Sequence, residues 1–143
     1  MSNSPRTHSV QYRVYYEDTD AAGIVYYANY LKFAERARTE ALRAAGIAQS
    51  DLSRTEQVGF VVKRCTIEFF GSARLDDLLT IETSLHDIGK VSMDMRQILR
   101  CGGKTVAEMD VRLAAVGAAM KPVKIPAHVA DALRTTMAIK DGA

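Results

Sequence analysis

YYEDTDAAGIVYYANYLKFAERARTEALRAAG, residues Tyr15 to Gly46, is the stretch whose reading decides the fold. Its second half carries the only long helical signal in the chain. Tyr30, Phe33, Ala34, Ala37, Ala41, Leu42 and Ala45 recur at steps of three and four, while Lys32, Glu35, Arg36, Glu40 and Arg43 fall mainly on the other side. The residues are good helix formers, and Arg36 and Glu40 stand one turn apart. The alanines on the apolar side are small enough to let a sheet approach closely. Gly46 predicts the stop, as a left-handed C-terminal cap. The start is expected between Tyr27 and Asn29, with Asn29 a candidate N-cap.

The first half of the stretch is a loop of acids, small residues and aromatics. A helix N-terminus leaves backbone N–H groups unpaired and carries partial positive charge. Asp20 stands a few residues upstream, beside a glycine-containing turn, where its carboxylate can face whatever binds that terminus. Attack on a carbonyl needs a nucleophile or base on one side and donors for the growing oxyanion on the other. This one segment can supply both. For Glu17, Asp18 and Asp20 the plain alternative is a solvated loop, and it is kept for Glu17 and Asp18. Asp20 differs because Ala21, Ala22 and Gly23 leave room beside it, and Ile24 and Val25 supply apolar surroundings. Gly23 is therefore counted with the substrate-binding candidates.

Outward from this core, Val10, Tyr12, Val14 and Tyr16 alternate with polar residues and predict a half-buried strand. Residues 47–57 are polar and irregular and predict a connector. Val58 to Phe70 is rich in β-branched and aromatic residues and predicts a longer strand, broken at Gly71-Ser72-Ala73. Three further strands are expected over Leu78–His86, Val91–Arg100 and Thr105–Val116, the last two joined by the hairpin signal Cys101-Gly102-Gly103-Lys104. Gly117 to Pro126 predicts a linker, and Val129, Leu133 and Met137 a short C-terminal helix over residues 127–138. Short turns imply antiparallel neighbours. The fold class is α+β: an antiparallel sheet of about five strands curved around one long helix. Such a sheet keeps open edges, so pairing of copies is expected.

At 143 residues the chain is expected to form one domain over 1–143, with 1–8 a flexible arm. A net charge of +2 gives no argument for nucleic acid. No apolar run is long enough to span a membrane, and the polar N-terminus lacks a signal-peptide core, so a cytoplasmic protein is expected. Cys65 and Cys101 form no metal-like or redox pair and read as reduced thiols. His8, His86 and His128 are scattered, so neither a metal nor another cofactor is expected. Gly102-Gly103-Lys104-Thr105 lacks the earlier glycine and the following helix of a phosphate loop, and there is no G-x-S-x-G.

The run VYYEDTDAAGIVYYANYLKFAERARTEALRAAGI resembles the opening of the hotdog-fold acyl-CoA thioesterases, most nearly their Tol–Pal-associated branch, with 4-hydroxybenzoyl-CoA thioesterase as its relative. The pattern D-x-D-x-x-G-x-V-[YF]-[HY]-x-N-Y is long and specific, and weaker likeness continues through VVKRCTIEFFGSARLDDLL. The resemblance implies a hotdog homo-oligomer, dimer or tetramer. It implies Asp20 as the catalytic aspartate and the backbone N–H of Tyr27 as oxyanion donor. The Tol–Pal branch usually carries histidine where Tyr27 stands, and the hydroxybenzoyl branch tyrosine. The acyl preference is left between short-chain and aromatic groups. By the same resemblance Phe60 and Val62 are candidates for the acyl pocket, and Lys90 and Ser92 for coenzyme A contacts. The expected partner is an acyl-CoA substrate, with acyl carrier protein as a further candidate. The rival readings are a non-catalytic binding protein for acyl carrier protein or an envelope complex, and, ranked last for want of a nearby histidine, a hotdog dehydratase or hydratase.

Overall fold

The computed structural model describes residues 7–137. In chain order it holds β1 (His8–Arg13), α1 (Asn29–Ala44), α2 (Gln49–Glu56), β2 (Gly59–Phe69), β3 (Leu78–Ile88), β4 (Ser92–Cys101), β5 (Lys104–Val116) and α3 (Ala127–Met137). The five strands form one antiparallel sheet in the order β1-β3-β4-β5-β2, with α1 against its concave side. This is the α+β layer and the hotdog arrangement expected.

Alternation decides which face of each strand is buried. On β3 Leu79, Ile81, Thr83 and Leu85 point inward, on β4 Met93, Met95, Gln97 and Leu99. Ala34, Ala37 and Ala41 of α1 are buried against them, so the alanine stripe does bring helix and sheet together. Two apolar clusters result. One gathers Tyr30, Phe33 and Ala37 over Leu79, Ile81 and Leu99. The other gathers Ala41 and Leu42 with Met95, Met109 and Leu133, and α3 packs against β3. Each fully buried leucine, isoleucine, methionine or phenylalanine among them contributes about 1.5–3 kcal/mol. Helix α1 ends in a Schellman motif: the amide of Gly46, at φ +86°, donates to Arg43, and that of Ile47 to Leu42.

Four expectations need correction. β1 stops at Arg13: Val14 is buried, but Tyr16 lies exposed in a short 3₁₀ turn, Tyr16–Asp18. His8 belongs to β1, opposite Thr83, and not to a loose arm, whose residues 1–6 lie outside the described residues, as does residue 138 of the C-terminal helix. The connector at 47–57 contains α2, which has a single buried anchor, Leu52, too few apolar positions to show a period. Finally, β2 and β3 follow one another through a short link yet are not neighbours. β2 pairs with β5, opposing Ile67 to Met109, and forms one edge of the sheet, while β1 forms the other.

The link from β2 to β3 therefore has to cross the sheet, and it crosses at the start of α1. Phe70 and Gly71 donate their amides to Val106 O, Ala73 O accepts from Val25 N–H, and Ala73 N–H donates to the Tyr30 hydroxyl at 2.9 Å. Burial pushes the Tyr30 phenol above its ordinary pKa, so it stays neutral. Tyr30→Phe strands the Ala73 amide in the interior. It is expected to cost about 1–3 kcal/mol in urea unfolding, with the midpoint moved and the slope unchanged.

The convex side of the sheet is laced with ions. Arg112 donates through Nε and Nη2 to the two carboxylate oxygens of Asp94, at 2.7 and 3.0 Å, and Arg96 reaches both Glu108 and Asp110. The hydrogen-bonded guanidinium holds the Asp94 carboxyl below the usual carboxylate pKa, against the upward push of burial. A depressed folded-state pKa adds stability above the unfolded-state value, and that contribution is lost as pH falls through the folded-state value. The stability gap between wild type and Asp94→Asn is therefore expected to be full at neutral pH and to close in acid. A gap independent of pH would exclude this account.

Candidate active site

The loop before α1 is a small hairpin closed by the Thr19–Val25 bridge. Asp20 sits at its turn. Its amide donates to Ile24 O at 2.9 Å, its carbonyl accepts from Gly23 N–H at 3.0 Å, and its carboxylate Oδ1 accepts from Ala22 N–H at 2.8 Å, an Asx turn. Gly23 stands at φ +80°, a region costly for residues with a Cβ, although a Cβ there would meet open space. The glycine thus serves the turn, and the turn fixes where Asp20 projects. In the single chain Asp20 is exposed.

Asp18 does more than the solvated loop residue expected of it. Its backbone carbonyl accepts from Tyr26 N–H and from Asn29 Nδ2, and its carboxylate accepts from Tyr15 N–H at 2.8 Å. These bonds tie the hairpin to the first turn of α1. Asn29 is accordingly a strut and not the N-cap. The cap position is Ala28, which has no side-chain acceptor to offer.

The consequence is an uncapped helix start. The amides of Asn29, Tyr30 and Leu31 donate to Tyr26, Tyr27 and Ala28 carbonyls, whereas among the described residues no acceptor meets the N–H of Tyr27 or Ala28. Two free donors at the positive end of a helix suit an anion or a developing oxyanion. The ring of Tyr27 is 63 % exposed and stands edge-on to Phe69, centroids 6.2 Å apart. Asp20 and the Tyr27 amide are thus carried by one hairpin and the helix it leads into.

Phe60 and Val62 lie on edge strand β2, where Phe60 is half-buried and Val62 is 51 % exposed. Both border the space between β2 and α1. Lys90 and Ser92 lie elsewhere, at the β3–β4 turn, with Lys90 O accepting from Ile125 N–H. Asp77, just before β3, is bonded to Val14, so the loop end of the site and the Lys90 turn are separated by the length of β3. Eleven residues at about 3.3 Å each make that about 36 Å. One chain does not bring Lys90 and Ser92 to Asp20.

Arg38 is the residue the sequence reading missed. It is only 9 % exposed, and its Nη1 donates at 3.0 Å to Gln97 Oε1, while Gln97 Nε2 donates to Ala34 O and Thr83 Oγ1. The signal was there: position 38 falls four residues after Ala34 and three before Ala41, on the buried stripe. Among the described residues no cluster of histidine, cysteine or carboxylate groups is arranged to hold a metal, and no helix is long and apolar enough to cross a membrane.

Comparison with known proteins agrees with this architecture. The family model of the thioesterase-like superfamily matches residues 14–133. The acyl-CoA thioesterase YbgC of Haemophilus influenzae is 43 % identical over 118 residues, 82 % of this chain and 87 % of that protein. The crystal structure of a probable thioesterase from Bartonella henselae superposes with a TM-score of 0.82 at 36 % identity, covering 84 % of this chain and 99 % of the other. The 4-hydroxybenzoyl-CoA thioesterase of a Pseudomonas species shares the fold, with a TM-score of 0.83 at 23 % identity over 89 % of this chain and 99 % of that one. With a family model spanning nearly all the described residues and a close relative covering most of both chains, this chain belongs to the thioesterase-like superfamily.

Proposed function

We propose that this chain, a thioester hydrolase by family, cleaves short-chain or aromatic acyl-CoA to the free acid and coenzyme A, with Asp20 as nucleophile or general base and Tyr27 N–H as oxyanion donor. The observation that carries the reading is the pair of free amides at an uncapped helix start, preceded directly by a hairpin bearing a carboxylate. As a base, Asp20 takes a proton from water while the hydroxide adds to the carbonyl carbon. As a nucleophile, it adds directly and gives a mixed anhydride that water then opens. In either route the C–S bond breaks and its electron pair leaves on sulfur. A thiol of pKa about 8.5 departs readily as thiolate, so no strong general acid is required.

Pairing of copies belongs to the same proposal. The β2 edge is open, and Val62, Phe69 and Phe70 on or beside it are exposed in the single chain. In this reading a second copy laid along β2 covers them, and any Lys90 and Ser92 that serve Asp20 belong to another copy, because one chain does not bring its own there. Lys90 and Lys124 around a cavity of about 330 Å³, where Arg134 pairs with Asp131, favour a phosphate-bearing carrier, coenzyme A or acyl carrier protein. A non-catalytic role in binding such a carrier, in the cytoplasm or at an envelope complex, is the second reading. The test is release of free thiol from a panel of short-chain, aromatic and carrier-protein thioesters. Tight carrier binding with no release from any of them would reject the hydrolase and leave the binding protein.

A further inference from the structure

Asp20 and the Tyr27 amide can act on one carbonyl only if their separation is fixed. The hairpin that carries Asp20 is thinly anchored. Asp20, Ala21 and Ala22 are exposed, and of residues 19–25 Val25 alone is buried. A segment with so few buried apolar contacts keeps its place through its hydrogen bonds. One set of these runs to the link before β3: Val25 N–H donates to Ala73 O at 2.8 Å, and Leu75 N–H to Gly23 O at 3.2 Å. The other set converges on a single atom, Asp18 O, which accepts from Tyr26 N–H at 3.2 Å and from Asn29 Nδ2 at 2.9 Å.

Asn29 is the first residue of α1, and among the described residues its side chain makes the one side-chain hydrogen bond from that helix to residues 15–28. The tie lies close to both reacting groups in the chain. Asp18 stands two residues before Asp20, and Asn29 two residues after Tyr27. The residue type argues for the bond. The dipole favours a carboxylate in the first turn of a helix, yet α1 has no acid there. An aspartate at this position has no proton to give Asp18 O at neutral pH, whereas the asparagine amide has two. Asp20 in turn depends on its backbone for direction. Its Oδ1 is taken by Ala22 N–H, and among the described residues nothing binds Oδ2. A shift of the hairpin therefore carries the free oxygen with it.

We propose that Asn29 is a positioning residue for the thioesterase reaction: by donating to Asp18 O it holds the Asp20 carboxylate at a fixed reach from the Tyr27 and Ala28 amides. The proposal rests on the thioesterase reading and gives Asn29 no contact with substrate. Loss of the tie leaves the carboxylate charged and the amides free. It lowers only the share of time in which both face one carbonyl, so the effect falls on kcat more than on KM.

The experiment measures kcat and KM for thiol release by wild type, N29A, N29D, N29Q, D20N and the D20N/N29A pair, on the best substrate of the thioester panel. N29A and N29D are expected to lower kcat by about tenfold to a hundredfold, the scale of an ångström's misplacement, with KM close to wild type. N29Q keeps the donor and is expected to recover part of the loss. In the D20N background N29A is expected to cost little more, because no carboxylate is left to position. Amide hydrogen exchange reads the tie without turnover: N29A is expected to speed exchange at Asp20 and Tyr26 and to leave the middle of α1 unchanged. Faster exchange with wild-type kcat makes the tie structural only and overturns the proposal. So does an equal fold-loss from N29A with and without Asp20, since Asn29 would then act on something else. A wild type that releases no thiol from any thioester removes the thioesterase reading instead, and the positioning role falls with it.

Discussion

Replacing Asp20 by asparagine is expected to lower kcat for thiol release by about 10²–10⁴, the usual contribution of a positioned proton acceptor. The substitution keeps size and shape. Asparagine Oδ1 still accepts from Ala22 N–H, so the Asx turn and the hairpin closed by Thr19 and Val25 are retained. What is lost is the charge and the ability to take a proton or attack. KM should change little, because the carboxylate holds no part of the carrier in this scheme. Circular dichroism and thermal unfolding should match wild type. Equal turnover by the two proteins would remove Asp20 from the chemistry and leave the Tyr27 and Ala28 amides to some other role.

Where the sequence spoke clearly, one local rule decided an element. The spacing of Ala34, Ala37 and Ala41 forced a helix that a sheet could approach, and Gly46 ended it in the left-handed conformation. The Gly102-Gly103 pair, at φ +57° and +83°, turned β4 into β5 as read. The failures share a cause as well. That β2 pairs with β5 and not with β3 has no local signature, because it follows from the 70–77 link being tied to the start of α1 by Ala73 and Tyr30. Helix α2 rests on Leu52 alone. Asp18 and Asn29 act through backbone partners that only the folded loop brings close, so their composition suggested solvent and a cap. Arg38 was passed over because a charge on a buried stripe looks like noise in an apolar period until its partner, Gln97 on a distant strand, is known. Asp20 stood out because the loop that bears it runs directly into the helix start, whereas Tyr27 was implied only by the family resemblance. Lys90 and Ser92 belong to the other end of the sheet, a separation that no local pattern records.

Gln97→Leu is expected to destabilise the fold by about 3–5 kcal/mol, the range for stranding one partner of a buried polar pair. Gln97 is fully buried and makes three bonds: it accepts from Arg38 Nη1 at 3.0 Å and donates to Ala34 O at 2.9 Å and Thr83 Oγ1 at 3.0 Å. Leucine fills the volume but accepts nothing, so the Arg38 guanidinium faces an apolar wall with no bond at all. For a domain of this size the loss corresponds to roughly 6–20 °C in Tm. The mechanism has a signature that a simple packing defect lacks. Removing the stranded charge as well, in Arg38→Met with Gln97→Leu, should recover much of the loss, because an apolar pair in place of a buried polar one is often neutral. The double-mutant cycle should therefore show a coupling of about 1–3 kcal/mol. Additive losses would mean that Gln97 matters only for its contacts with Ala34 and Thr83. Strong coupling would identify the guanidinium as the group that needs an acceptor.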